Sequence, residues 1–242
     1  MEEIVNKTRP TIVVLCEAKL ANVNKVKEIM DKDYEIIDRF IKQGKGGIII
    51  AVKRNTFASF VDSTTSEKKN ILVGRVALGH KYWRIIVGYA PQEEDLKEVR
   101  EEFFEDLSME ITKSKLSDDE FIIMGDLNAK IGIDSSGLVK AETANGKLLQ
   151  NMTDEQDLQV INFSSKCSGK WTHSIRTIGQ SSVLDYVLSS KKFDTDCIQS
   201  MMVIDELCLM CPFSLKKSKG TESKQFSDMY LSMVGKATYI QW

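Results

Sequence analysis

Proline is scarce, with three residues in 242, at positions 10, 91 and 212. No Pro/Gly/Ser-rich linker divides the chain, so one domain over residues 1–242 is expected. Long apolar runs are lacking as well. The longest, such as Ile48 to Val52, fall far short of the roughly 20 residues a membrane-spanning helix needs, so no membrane partner is expected. The opening residues, M-E-E-I-V-N-K, are neither basic nor apolar enough for a secretory signal. Five cysteines are an odd count for a disulfide framework. Cys208 and Cys211 form a lone C-x-x-C with no second pair or nearby histidine, so a structural role outweighs a zinc site. Reduced thiols in a nuclear or cytoplasmic, not secreted, protein are expected. Charge of one sign is also missing: the formal net charge of −2 gives no global pull towards nucleic acid. Only Lys216, Lys217, Lys219 and Lys224 cluster, as a solvated loop or a local phosphate-contacting patch.

What is present is a soluble globular composition, 42% hydrophobic and 28% charged. Short β-branched runs predict strands over 11–17, 34–40, 48–53, 57–61, 71–78 and 82–90. Further strands are predicted at 121–124, 160–163, 170–176, 183–189, 201–207 and 226–234, with 170–176 and 183–189 paired to each other. Helices are predicted over 2–8, 22–30, 93–113 and 145–156. The third carries a stripe of Leu96, Val99, Phe103, Leu107 and Ile111, and the fourth turns Leu148, Leu149 and Met152 inward. Strands outnumber helices, and helices interrupt them singly. That pattern predicts mixed sheets packed face to face with helices outside.

The most informative stretch is F-I-I-M-G-D-L-N, Phe121 to Asn128. Four apolar residues predict a buried strand, which Gly125 ends in a turn. Asp126 and Asn128, two apart, are expected to point the same way from its end. The octapeptide alone leaves two readings open: an Asx-turn that satisfies local backbone N–H groups, or a functional pair. Elsewhere Glu17, Asp185 and Asp228 also end or interrupt apolar runs. Carboxylates delivered this way suit Mg²⁺, with Mn²⁺ as the alternative, better than zinc, and Mg²⁺ leaves room for phosphate oxygens.

Seven ordered stretches carry a family resemblance: I-V-V-L-C-E-A-K-L at 12–20, K-G-G-I-I-I-A-V-K-R at 45–54, G-Y-A-P at 88–91, I-I-M-G-D-L-N-A at 122–129, G-K-W-T-H at 169–173, V-L-D-Y-V-L-S at 183–189 and F-S-D-M at 226–229. The chain resembles the endonuclease/exonuclease/phosphatase superfamily, and within it the apurinic-type endonuclease domains of non-LTR retrotransposons and their domesticated relatives. The resemblance implies a four-layered α/β sandwich and Mg²⁺-dependent hydrolysis of DNA phosphodiesters, with DNA as the partner of an active domain and no small-molecule cofactor. It implies that Glu17 binds metal and that Tyr89 hydrogen-bonds the scissile phosphate. Asp126 then positions or deprotonates the attacking water, and Asn128 holds water and phosphate. Asp185 orients a catalytic histidine, and Asp228 lies at or near the metal.

Two departures stand out. The family ends S-D-H, but here Ser227-Asp228 is followed by Met229, which neither donates a proton nor carries charge. His80 and His173 lie in other motifs. The family's opening strand, with its asparagine, is not found before Pro10, so an N-terminally truncated domain is expected, with an open strand edge that invites association. These departures imply a weak or inactive endonuclease. The alternatives are a non-catalytic DNA- or protein-binding domain of the same fold, and another phosphodiesterase or phosphatase of the superfamily.

Overall fold

The computed structural model describes residues 10–16, 30, 32–42, 45–56, 58–62, 70–78, 81–132, 142–165, 167–168, 172–175, 180–191, 198–204, 209–215 and 231–234. In chain order the elements are β1 (Ile12–Leu15), β2 (Tyr34–Lys42), β3 (Lys45–Lys53), β4 (Ala58–Asp62), β5 (Ile71–Leu78), β6 (Lys81–Tyr89), helix α1 (Lys97–Leu116), β7 (Glu120–Asp126), helix α2 (Ala144–Glu155), β8 (Leu158–Val160) and a 3-10 turn (Ile161–Phe163). Then come β9 (Cys167–Ser168), β10 (His173–Ile175), β11 (Gln180–Ser182), β12 (Asp185–Ser190), β13 (Ile198–Ile204), β14 (Leu209–Leu215) and β15 (Leu231–Val234).

Two large sheets result. One runs β2-β3-β1-β15-β14-β13-β9, the other β4-β5-β6-β7-β12-β8, and β10-β11 form a separate hairpin. Between the large sheets lie Val14, Ile50, Leu72, Val76, Ile85, Val87, Ile122, Met124 and Val187. Each such side chain contributes roughly 1.5–3 kcal/mol on burial. The other face of the six-stranded sheet is covered by α1 and α2, through Phe103, Phe104, Leu107, Ile111, Leu149 and Met152. This is an α/β sandwich with helices outside, as the alternation of elements predicts. The helices expected over 2–8 and 22–30 lie outside the described residues, apart from Met30.

Several expectations are corrected. β7 does not stop at Gly125 but runs through it to Asp126. At φ +153° this glycine lies so close to β6 that an added Cβ would sit 1.9 Å from the Gly88 carbonyl oxygen. Helix α1 starts at Lys97, because Gln92 to Asp95 form a turn closed by Asp95 Oδ2 accepting from Gln92 N–H (2.7 Å). Its buried side keeps Phe103, Leu107 and Ile111 but leaves Leu96 and Val99 exposed. The 160–163 segment is the end of β8 followed by a 3-10 turn. The 170–176 and 183–189 segments are not partners: β10 pairs with β11, whereas β12 lies between β7 and β8. Strand β14 runs through a segment whose alternation Pro212 breaks. The ladders on both of its sides shift register around that proline, where a bulge accommodates the missing donor. The expected open edge is not found beside β1, which has β3 antiparallel on one side and β15 parallel on the other.

Candidate active site

Strands β6, β7 and β12 end at one rim with three polar residues in a row. Tyr89 is the register partner of Asp126 across the parallel β6–β7 pair. Asp126 is in turn the partner of Asp185 across the antiparallel β7–β12 pair. Two residues inward, the same three strands carry Val87, Met124 and Val187, all part of the inter-sheet core. Side chains two apart on a strand share a face. Tyr89, Asp126 and Asp185 therefore form the outermost layer of that core, at the mouth between the two sheets. Cys16, at the end of β1, closes the same region, with Sγ 3.9 Å from the Gly88 carbonyl oxygen.

Both carboxylates are nearly covered: Asp126 is 3% exposed and Asp185 5%. Asp126 Oδ1 accepts from Asn128 N–H (3.1 Å), so the Asx-turn and the placement at the rim coexist. Asn128 does not continue the strand. It lies beyond β7 at φ +43°, a left-handed conformation that asparagine tolerates better than most residues. The two-apart argument for Asn128 therefore fails, and its side chain is placed by Nδ2 donating to the Ala90 carbonyl (2.8 Å). The second amide hydrogen and Oδ1 are the groups it can still offer a ligand.

The loop after Asp126 is held from several directions. The hydroxyl of Tyr186, fully buried in β12, donates to Ala129 O (2.9 Å) and Val183 O (3.3 Å). Burial, helped by the charges of Asp185 and Asp126, pushes the Tyr186 phenol well above its ordinary range, so it stays protonated as a donor. Asn145 Nδ2 donates to Asn128 O (3.2 Å), and Thr143 Oγ1 accepts from Lys130 N–H (3.1 Å). Asp185 is fixed through its backbone. Thr172 Oγ1 accepts from Leu184 N–H (2.9 Å) and Asp185 N–H (3.0 Å). Asn162 Nδ2 donates to Asp185 O (3.0 Å), and its Oδ1 accepts from Val187 N–H (2.9 Å). That side chain extends the β8–β12 ladder where the main chain of β8 turns away.

Of the residues singled out from sequence, Tyr89, Asp126, Asn128 and Asp185 are thus brought to one rim. Glu17, Asp228, Met229 and His80 lie outside the described residues, as do Cys208 and the lysine cluster. Glu17 directly follows Cys16. Strand β15 starts with Leu231 beside Ile12, at the end of β1 away from Cys16. The residues missed in sequence are Asn145, Asn162, Thr172 and Tyr186. Thr172 and Tyr186 sat inside recognised motifs, so only their neighbours drew notice; Asn145 and Asn162 carry no local signal.

Among the described residues no three His, Cys, Asp or Glu side chains are grouped to hold a metal ion. Among the described residues the rim offers hard oxygens from Asp126 and Asp185 on adjacent strands and from the amide of Asn128. That donor chemistry fits Mg²⁺. No helix among the described residues is long and apolar enough to cross a membrane.

A profile of the Endonuclease/Exonuclease/phosphatase family matches residues 1–228. No curated protein sequence matches the chain. Solved structures do. The 3'-5' exonuclease NExo from Neisseria meningitidis superposes with a TM-score of 0.64 at 14% identity, covering 85% of this chain and 86% of that one. The endonuclease domain of TRAS1, a telomere-specific non-LTR retrotransposon, gives 0.58 at 16% identity, with 81% and 92% covered. An AP endonuclease from Archaeoglobus fulgidus gives 0.60 at 14%, with 86% and 87% covered. At these identities the likeness is one of fold.

Proposed function

The chain belongs to the endonuclease/exonuclease/phosphatase family, and on that footing we propose that it is a Mg²⁺-dependent phosphodiesterase of endonuclease type, acting on DNA and of retroelement origin. The observation that carries this reading is the row Tyr89–Asp126–Asp185 at the mouth of the sandwich, with Asn128 anchored beside it. The ordered motifs through G-K-W-T and L-D-Y support the retroelement branch, and the TRAS1 endonuclease domain is a structural neighbour.

In this reading Asp126 takes the proton of the attacking water. Its Oδ1 is held by Asn128 N–H, which keeps the carboxylate in one orientation. Asn128 uses its remaining amide groups to hold that water and a phosphate oxygen. The Tyr89 hydroxyl donates to the scissile phosphate. Mg²⁺ would be held by Asp185 and by Glu17, which the sequence resemblance assigns to the metal and which follows Cys16; Asp228, assigned likewise, precedes Leu231 at the far end of β1. When bound, the metal neutralises charge on the phosphate. General-base help of this kind contributes about 10²–10⁴ in rate.

Met229 stands where the family has histidine, so position 229 does not supply the imidazole that the resemblance sets beside Asp185, and turnover is expected to be slow. The same substitution favours a second reading, a domain that binds DNA or protein without cutting. A divalent-metal titration in a plasmid-nicking assay separates them. Nicking that rises with Mg²⁺ and stops with chelator supports the enzyme. Binding of DNA with no nicking at any metal concentration supports the scaffold.

A further inference from the structure

We infer that Asn145 is a positioning residue that locks the two loops carrying the reacting groups into one frame. This rests on the phosphodiesterase reading of the rim. Asn145 is the second residue of α2 and is fully buried. Its Nδ2 donates to Pro91 O (2.9 Å), in the loop after Tyr89, and to Asn128 O (3.2 Å), in the loop after Asp126. One amide group thus bridges the two segments on which Tyr89 and Asn128 depend. The bond to Pro91 O is buried and that to Asn128 O is partly buried.

Asn145 is itself fixed from outside. Its N–H donates to Glu93 Oε1 (2.8 Å), and Glu93 is paired with Arg100 of α1 (3.0 Å). The helix end is pressed against the loop after Asn128. A Cβ on Gly146 would lie 2.0 Å from the Lys130 carbonyl oxygen, so only glycine lets α2 approach this closely. Glu93, in the turn before α1, therefore holds the bridge in place. Asn145 touches no reacting atom in this account. It acts by setting the separation of the Tyr89 and Asn128 loops, and displacements near 1 Å at a reacting centre cost on the order of 10²-fold in rate.

The test uses the full chain. Asn145→Asp keeps the side chain's size and replaces its donor with an acceptor. Met152→Ala, which opens a cavity beneath the same helix, serves as the stability control. In Mg²⁺-dependent nicking of supercoiled plasmid, Asn145→Asp is expected to lower kcat about 10- to 100-fold with KM within about threefold. Met152→Ala, despite a lower melting temperature, should keep kcat per folded molecule. An unchanged kcat in Asn145→Asp overturns the inference. If the wild-type chain does not nick, the proposed function fails, but the bridge is still read by NMR. Hydrogen exchange of the Asn128 side-chain amide, bonded to Ala90, should quicken in Asn145→Asp and not in Met152→Ala. Unchanged exchange in Asn145→Asp overturns the bridge. Should Asn145→Asp not fold, Glu93→Ala removes the acceptor of Asn145 N–H and loosens the bridge from its exposed side. It is expected to shift the same readouts in the same direction by less, and no shift overturns the inference.

Discussion

Asp126, the last residue of β7, and Asp185, the first residue of β12, face each other as register partners at one rim of the sandwich. Tyr89 completes the row on the other side of Asp126. Because both carboxylates are almost fully covered, each acts from a fixed position. Asp126→Asn keeps the volume and removes the base. It is expected to reduce Mg²⁺-dependent nicking by about 10²–10⁴ without lowering the melting temperature. A full-rate Asp126→Asn enzyme would remove Asp126 from the mechanism.

Gly125 sits between the core and Asp126, and its neighbour across β6 is Gly88. With 1.9 Å between a new Cβ and the Gly88 carbonyl oxygen, and a backbone φ of +153°, Gly125→Ala must push β6 and β7 apart. The expected loss is about 2–4 kcal/mol, measured by urea unfolding. A loss below about 0.5 kcal/mol would mean that the two strands can separate freely there.

Asn162 is a buried amide standing in for main chain. Asn162→Ala leaves Asp185 C=O and Val187 N–H without that partner. At about 1–3 kcal/mol for each buried group, a destabilisation of roughly 2–4 kcal/mol is expected. Hydrogen exchange at Val187 N–H should quicken more than exchange at Met124, in the neighbouring strand. Equal protection of Val187 in the variant and the wild type would contradict this.

Asp119, just before the start of β7 and away from the rim, accepts with both oxygens from Arg75 in β5 (2.8 and 3.0 Å), and Arg84 in β6 adds a third bond (3.1 Å). The hydrogen bonds from Arg75 come first among the causes that hold the Asp119 carboxyl below its ordinary 3.8. A depressed folded-state value means the unfolded chain binds the proton first. The contribution is present above the unfolded value and is lost as pH falls through the folded one. Wild-type stability should therefore drop more steeply below about pH 4 than that of Asp119→Asn. Parallel acid limbs in urea midpoint against pH would contradict the coupling.

The sheets were legible because their strands are short β-branched runs buried on one or both faces, and burial leaves that mark on composition. Ile71 to Leu78 was bounded to the residue for this reason. The carboxylates at strand ends were legible because a charge after an apolar run is costly without purpose. What stayed hidden depends on residues far apart in the chain. Nothing local tells that Asn145 bonds Pro91, 54 residues away, or that Asn162 bonds Asp185. Glu93 reads as a first-turn acid of α1, whereas the helix starts at Lys97 and the Glu93 carboxylate reaches across to α2. Period-2 spacing places Asn128 on the strand face, and its left-handed backbone breaks that spacing.

The central claim is that the rim is a phosphodiesterase site weakened by the residue at position 229. Nicking of supercoiled plasmid by Met229→His, compared with the wild type at saturating Mg²⁺, tests it most directly. A positioned transition-state donor is typically worth about 10²–10³ in rate. A gain towards the lower end is expected, abolished when Asp126→Ala is added. A Met229→His protein that folds, binds Mg²⁺ and nicks no faster than the wild type would contradict the claim and leave a binding scaffold as the better account.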